Sequence, residues 1–355
     1  MTGRMARYVG GIFLGRTVGA ALALAALMQV LDLLDAATEV MDRGKGVAGI
    51  GYYALLRLPV ILEQTFPLAV LVGALLTFAG LARHNEIVIM RAAGLSVTRL
   101  TGMLLLPVLA IAGLHLAIAD QVVPRVERRL AIWWEKPPGD TDGTGKATWL
   151  RVGEDLVSID RIMAAGTRLE GVRIYRRGPD DQLVQRTYAA TAVRQDRVWR
   201  LYSASDAVAG PDGIAVARTT DRIWDVRLTP SNLIEAMMPF AHISTATARS
   251  GLAGTRAGAR QPAYYAMRLQ RAFAEPLAVV AMLLLATPAA TASRRAGQAG
   301  QRLLLGLALG MLFLLADGML AALGEAGRIV PEVAAWGALA VFGCLGIAIL
   351  IHLDS

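Results

Sequence analysis

Apolar runs of membrane-spanning length alternate along this chain with short charged connections. A spanning helix needs about 20 mostly apolar residues, and six stretches meet that test: 9–34, 58–81, 100–122, 267–288, 303–323 and 333–352. Arg16 can snorkel towards the headgroups from within the first, and Asp32 and Asp35 mark its far end. Pro67 predicts a kink in the second, and Pro276 lies inside the fourth. Between the third and fourth runs the pattern changes. No window from 124 to 259 is long and apolar enough to span, and a period of two takes over at 156–162, 172–176, 198–202, 214–217 and 223–228. Turn signals at 178–181, 194–196 and 210–213 separate these runs. Short, evenly spaced strands of this kind predict a sandwich or an open barrel. Segments 136–147 and 249–261, rich in Gly, Thr, Arg and Pro, read as linkers, and no internal repeat is visible. The predicted fold is a membrane α-helical protein of six transmembrane helices with an inserted all-β domain. Residues 1–123 hold helices one to three, 124–262 the insert, and 263–355 helices four to six.

The connection between the second and third runs is the most informative. It carries Arg83, Glu86, Arg91 and Arg99, so it lies outside the hydrocarbon. Asn85 is placed to cap a short helix, Glu86 sits at its positive end, Gly94 suits the closing C′ position, and Ser96 can cap the next helix. The pattern predicts a compact helix that presents Ile87, Val88, Met90 and Arg91 on one side of the membrane. Taken alone, Glu86 reads as a partner of the helix dipole, contributing roughly 0.3–1 kcal/mol. The positive-inside rule orients the chain: residues 82–99 carry three Arg against one acid, residues 289–302 carry Arg294, Arg295 and Arg302, and the leader adds Arg4 and Arg7. All three segments are expected on the cytoplasmic side. The connections 36–57 and 324–332 mix both signs and fall opposite.

Composition agrees with the pattern: 55% of the 355 residues are hydrophobic and 18% charged. The net charge of +8 is scattered Arg without a nucleic-acid motif, which fits loops beside anionic lipid. Cys344 is the only cysteine, so no disulfide forms within the chain. The first apolar run is too long for a cleaved signal and is expected to be retained. There is no Walker A sequence, HExxH, GxSxG or Cys/His cluster at ligand spacing, so neither an intramembrane hydrolase nor a metal centre is predicted. The four histidines, His84, His115, His242 and His352, read as packing or loop residues.

Ionisable groups within spans are the remaining candidates, because hydrocarbon penalises them. Asp317 lies mid-span in the fifth run, either facing a helix partner or lining a path. Asp32, Asp35 and Glu39 recur on one helix face at the end of the first. The Phe66–Pro67 pair opens the deep part of the second.

At this point the chain resembles the LptF/LptG family of lipopolysaccharide export permeases, on its LptG side. The residues that carry the resemblance are Leu58-Pro59, Phe66-Pro67-Leu-Ala-Val-Leu-Val-Gly-Ala-Leu-Leu76 and Glu86-Ile-Val-Ile-Met-Arg-Ala-Ala-Gly-Leu-Ser96. Arg7-Tyr8, Val198-Trp199-Arg200, Leu228-Thr-Pro230, Pro276 and Asp317 match in order. The resemblance implies a permease subunit of an ABC transporter in the bacterial inner membrane, without catalysis of its own. It would extract lipopolysaccharide and pass it to a periplasmic bridge, pairing with an LptF-like permease. An LptB-like ATPase dimer would carry the ATP and Mg; no cofactor is bound by this chain. The segment 84–95 would be the coupling helix, with Glu86, Ile87, Met90, Arg91 and Gly94 as the ATPase-coupling residues. The insert would be a periplasmic β-jellyroll that hands lipid on, with an LptC-like membrane-anchored protein as neighbour. Asp32, Thr38, Glu39, Arg57, Phe66 and Asp317 would fall along the substrate path.

The chain departs from the family in one place. Where some members carry basic residues that pair with lipid phosphates, this sequence has Asp32, Thr38, Glu39 and Val60. Arg43, Lys45 and Arg57 are the candidates to supply positive charge instead; the alternative is a cognate lipid that carries less phosphate. Two competing readings are a proton-coupled carrier using Asp32 and Asp317, and a membrane-tethered scaffold for the β domain.

Overall fold

The computed structural model describes residues 2–134, 147–153, 155–178, 182–210, 213–226, 228–230, 232–233, 243–253, 261–291 and 298–354. They divide into two compact units, Met1–Val126 with Ala266–Ser355, and Glu127–Tyr265.

The first unit is helical, and the six predicted spans are present as helices long and apolar enough to cross a membrane. Helices α1 (Thr2–Asp42) and α2 (Gly46–Arg83) are followed by a short α3 (Glu86–Ala92). Next comes α4 (Val97–Ala117), which runs through a π turn at Ile118–Val122 into α5 (Val123–Trp134). After the insert come α7 (Pro262–Leu285), α8 (Gln298–Glu325) and α9 (Pro331–Asp354). The helices overrun their apolar windows, because a helix that has crossed the hydrocarbon goes on where side chains can pair. The connection 36–57, expected as a loop, is therefore mostly helix. Its reversal narrows to the residues between α1 and α2, where Gly44 and Gly46 take φ of +70° and +60°. Likewise 124–134, expected in the insert, is helical, as part of α5. Helix α2 runs unbroken through Pro59 and Pro67.

Helix α2 is the spine of this unit. It is buried along most of its length, whereas α1 and α8 keep most of theirs exposed. Small residues let α1 lie against it: Ala20 and Ala21 meet Ala69, and a Cβ on Gly73 would collide with the Thr17 hydroxyl and backbone. Close approach through small residues is how membrane helices gain contact without a hydrophobic driving force. Arg16 donates to the Leu76 carbonyl, and its guanidinium occupies the space over Gly80. On its other side α2 receives α8, where Gly306 and Gly310 admit Leu75 and Leu71. The core is completed by Phe13, Phe78, Leu104, Met282 and Phe313, with Phe313 edge-to-face on Phe342 of α9.

The second unit holds one six-stranded antiparallel sheet in sequential order: β1 (Thr148–Val152), β2 (Asp155–Met163), β3 (Arg168–Arg177), β4 (Leu183–Gln195), β5 (Val198–Gly210) and β6 (Gly213–Trp224). Strands β1 and β4 are additional to the predicted ones. The predicted separate strand at 223–228 is not formed: Ile223 and Trp224 end β6 instead. The signal at 194–196 makes a two-residue hairpin. Asp196 and Arg197 both have positive φ between the paired Gln195 and Val198, the requirement of a type I′ turn. The residues 179–181 and 211–212 of the other two signals lie outside the described residues, as do most of both expected linkers, His242, Arg294 and Arg295.

One face of the sheet buries Leu150, Val157, Ile159, Leu169, Val172 and Leu201 around Trp199. The Trp199 indole donates to the Leu228 carbonyl at 2.9 Å. Gly166, at φ +82°, lies close under Pro230. A short helix α6 (Thr245–Leu252) follows, capped by Ser244, which accepts from the Thr247 amide.

Two outcomes follow from this packing. Gly73→Leu would drive a side chain into the α1 backbone at Thr17. It should cost about 1–3 kcal/mol, read as a lower thermal midpoint of the detergent-solubilised chain. Trp199→Phe leaves the Leu228 carbonyl without its donor, at a cost of about 1–3 kcal/mol. Limited proteolysis of the full chain should then cut faster within the insert and not within the helices.

Candidate functional site

Helix α3 is a rigid plug rather than a loose loop, and its sequence explains why. Its C-terminus closes in a Schellman motif: the Leu95 amide bonds the Met90 carbonyl at 3.0 Å and the Gly94 amide bonds Arg91 at 2.9 Å. This requires a left-handed C′ residue, and Gly94 has φ +83°. The next helix starts at once, with the Ser96 hydroxyl accepting from the Arg99 amide at 3.1 Å. Asn85 does stand at the N-cap position, but in the left-handed region and without a side-chain cap bond. The expected presentation of residues is corrected in part. Ile87 and Met90 turn inward and join the core of the helical unit. The outward face is Val88, Ile89 and Arg91, with Val88 63% and Ile89 66% exposed, and Glu86 is half-buried at its edge. The reason is the three-residue spacing of Ile87 and Met90, which puts both on the anchoring side. Tyr8 of α1 approaches Glu86 at 3.5 Å.

Near the other end of α2, Asp32 and Arg57 form a two-pronged pair, with Nη2 to Oδ1 at 2.6 Å and Nε to Oδ2 at 3.2 Å. Thr38 and Glu39 are exposed one turn or more further on, and Glu39 pairs with Arg43. Burial, and after it the charge of Arg43, holds the Lys45 ammonium below its ordinary range. The positive charge expected at Arg43 and Arg57 is thus already engaged by acids of the same chain. About 26 residues, or roughly 39 Å of helix, separate Arg57 from Arg83, so this pair and α3 lie at opposite ends of α2.

Asp317 and Phe66 belong to a third arrangement, which the sequence did not reveal. Asp317 of α8 bonds Arg271 of α7 at 3.1 Å. Arg271 also bonds Glu275 one turn on, and Arg268 stands 4.0 Å from the same carboxylate. Glu275 in turn forms a group with Glu63 of α2 and His115 of α4, with one ligand atom from each lying within 4.8 Å of the others. The Phe66 ring sits 5.5 Å from the imidazole. The signal was available: Glu63, His115, Arg271 and Glu275 all fall inside apolar windows. Their partners lie on other helices, however, where spacing gives no guide. Asp32 and Asp317 occupy separate ion pairs, each with its own arginine.

Six spans, an inserted antiparallel sheet and a locked, partly exposed helix between spans two and three define a multi-pass membrane protein with an inserted β domain. The sequence profile of the lipopolysaccharide export system permease LptF/LptG matches residues 7–352. Similar proteins include the lipopolysaccharide export system permease protein LptG of Escherichia coli (strain K12), 25% identical over 321 residues that make up 89% of each chain. The LptG of Haemophilus influenzae is 24% identical over 352 residues, 97% of this chain and 95% of its own length. The chain belongs to the LptF/LptG family of lipopolysaccharide export permeases.

Family membership gives the matched segments physical meaning. The 198–200 and 228–230 segments, far apart in sequence, meet in the Trp199–Leu228 hydrogen bond. Gly94 has open space around it, so only its backbone angle constrains it. Gly94→Val should therefore cost about 1–2 kcal/mol through the left-handed conformation alone. Hydrogen exchange at residues 86–95 should speed up while α2 and α4 stay protected.

Proposed function

We propose that the chain is the LptG-type permease subunit of an ABC transporter that takes lipopolysaccharide out of the inner membrane. Its partner subunit is an LptF-like permease, and an LptB-like ATPase dimer binds and hydrolyses ATP with Mg. An LptC-like protein and the β insert, on the periplasmic side, receive the lipid. The permease itself does no covalent chemistry. A lipid of several acyl chains does not leave a bilayer unaided, since each methylene exposed costs about 0.8 kcal/mol, and work must come from the ATPase.

The observation that carries this reading is α3: anchored by Ile87 and Met90, closed by Gly94, and exposing Val88, Ile89 and Arg91 beside a half-buried Glu86. A soluble motor can push on such a helix, and α2 and α4, which flank it directly, take up the displacement. Ile87, Met90 and Gly94 act in this account as anchors, and Glu86 and Arg91 as the charges offered to the ATPase. The exposed apolar faces of α1 and α8, with Leu34 at 69% and Leu304 at 66%, suit lipid or the second permease. Phe66, Thr38 and Arg57 stand along the route of the lipid, where a phosphate has to compete with Asp32 for Arg57.

Glu86→Ala, which removes the contact with the exposed Tyr8, should leave the chain folded. It should lower ATPase co-purification and lipopolysaccharide release from membrane vesicles at least several-fold. Undiminished docking and release in this variant would overturn the coupling role. The same pull-down separates the rival readings, because neither a proton-coupled carrier nor a scaffold brings a nucleotide-hydrolysing subunit with it.

A further inference from the structure

We propose that Glu63, His115 and Glu275 form an intramembrane binding site for a divalent transition-metal ion, zinc being the best match to the donors. The three side chains come from three different helices, α2, α4 and α7, and converge so that their ligand atoms lie within 4.8 Å of one another. The His115 Nε2 stands 3.3 Å from the Glu63 Oε1. A charge-assisted hydrogen bond between such groups is about 2.7–2.9 Å, so 3.3 Å is long for one. It equals the edge of a tetrahedron whose centre lies about 2.0–2.1 Å from each ligand, the bond length of zinc to imidazole nitrogen and carboxylate oxygen. Three protein ligands with one position left over is a recurrent zinc arrangement. One nitrogen and two oxygens suit zinc ahead of softer ions.

His115 is 2% exposed, and its Nδ1 has no hydrogen-bond partner among the described residues, so the polar contact of its ring is the one that Nε2 makes within the ligand group. Arg271, Arg268 and Asp317 stand next to this group: Arg271 bonds both Glu275 and Asp317, and Arg268 stands 4.0 Å from Glu275. The arginines hold the Glu275 carboxylate in place, as outer partners of a metal ligand do, and Asp317 steadies Arg271 in turn.

Residue counts set the depth. Glu63 lies 20 residues from Arg83 and His115 lies 16 from Arg99, which is about 30 and 24 Å along their helices. The site is therefore in the half of the spans remote from α3. Side-chain exposure of 21% at Glu275 leaves an approach for the ion.

The test uses the full chain, purified in detergent without a polyhistidine tag, and does not depend on transport. Metal content is measured by mass spectrometry, and the chelator-stripped protein is then titrated with cobalt(II) while its visible absorption is followed. The expected result is about one zinc per folded chain and cobalt bands of tetrahedral type. His115→Ala and Glu63→Gln should each weaken cobalt binding at least about ten-fold, and Glu39→Gln should leave it unchanged. A folded wild-type chain with neither zinc nor cobalt bands would overturn the site. So would a His115→Ala or Glu63→Gln protein that keeps the same metal content, which would reveal an adventitious metal only. If His115→Ala fails to fold, the wild-type measurement and Glu63→Gln decide the matter.

Discussion

In hydrocarbon a charged side chain can be answered only by another group of the protein. That condition governs where the helices of this chain meet. Arg16 spends its charge on a backbone carbonyl of α2, Asp32 on Arg57, and Asp317 on Arg271. Each solution ties two helices together at a defined height, which apolar packing alone would leave free to slide. Because α2 carries or receives two of these three ties and also contributes Glu63, it becomes the helix against which the others are placed.

The same helix links the two ends of the membrane unit. One end turns back at Gly44 towards α1, and the other leads within three residues into α3. Between them the contacts are either glycine-mediated and close or ionic and directional. Both kinds transmit displacement without much loss, since neither leaves slack for a side chain to rearrange. The inserted sheet is built on different terms, with a buried face around Trp199 and an opposite face that carries pairs such as Asp160–Arg173.

Much of this was legible from residue order, for reasons that can be named. The spans were visible because hydrocarbon imposes length and composition together. The capping of α4 by Ser96 and the closure of α3 by Gly94 were visible because both are local. The lengths of α1 and α2 were underestimated, since nothing in a hydropathy window marks a helix that continues into water. Strands β1 and β4 were missed, and β4, with mostly small residues from Ala189 to Ala192, shows little contrast between its faces. The group of Glu63, His115 and Glu275 was invisible for another reason: 52 residues separate Glu63 from His115, and only packing brings them together. For Ile87 and Met90 the residues were identified and their direction was not, because a seven-residue helix shows its inward face only once the neighbouring helices are in place.

The closure of α3 leaves no free joint between it and α4: Gly94 and Ser96 each serve the helix beside them, with Leu95 alone in between. Adding a single residue there would break either the closure at Gly94 or the cap at Ser96, and α3 would no longer be held at a fixed distance from the start of α4. The spacing of this short segment is thus as much a part of its chemistry as the residues that occupy it.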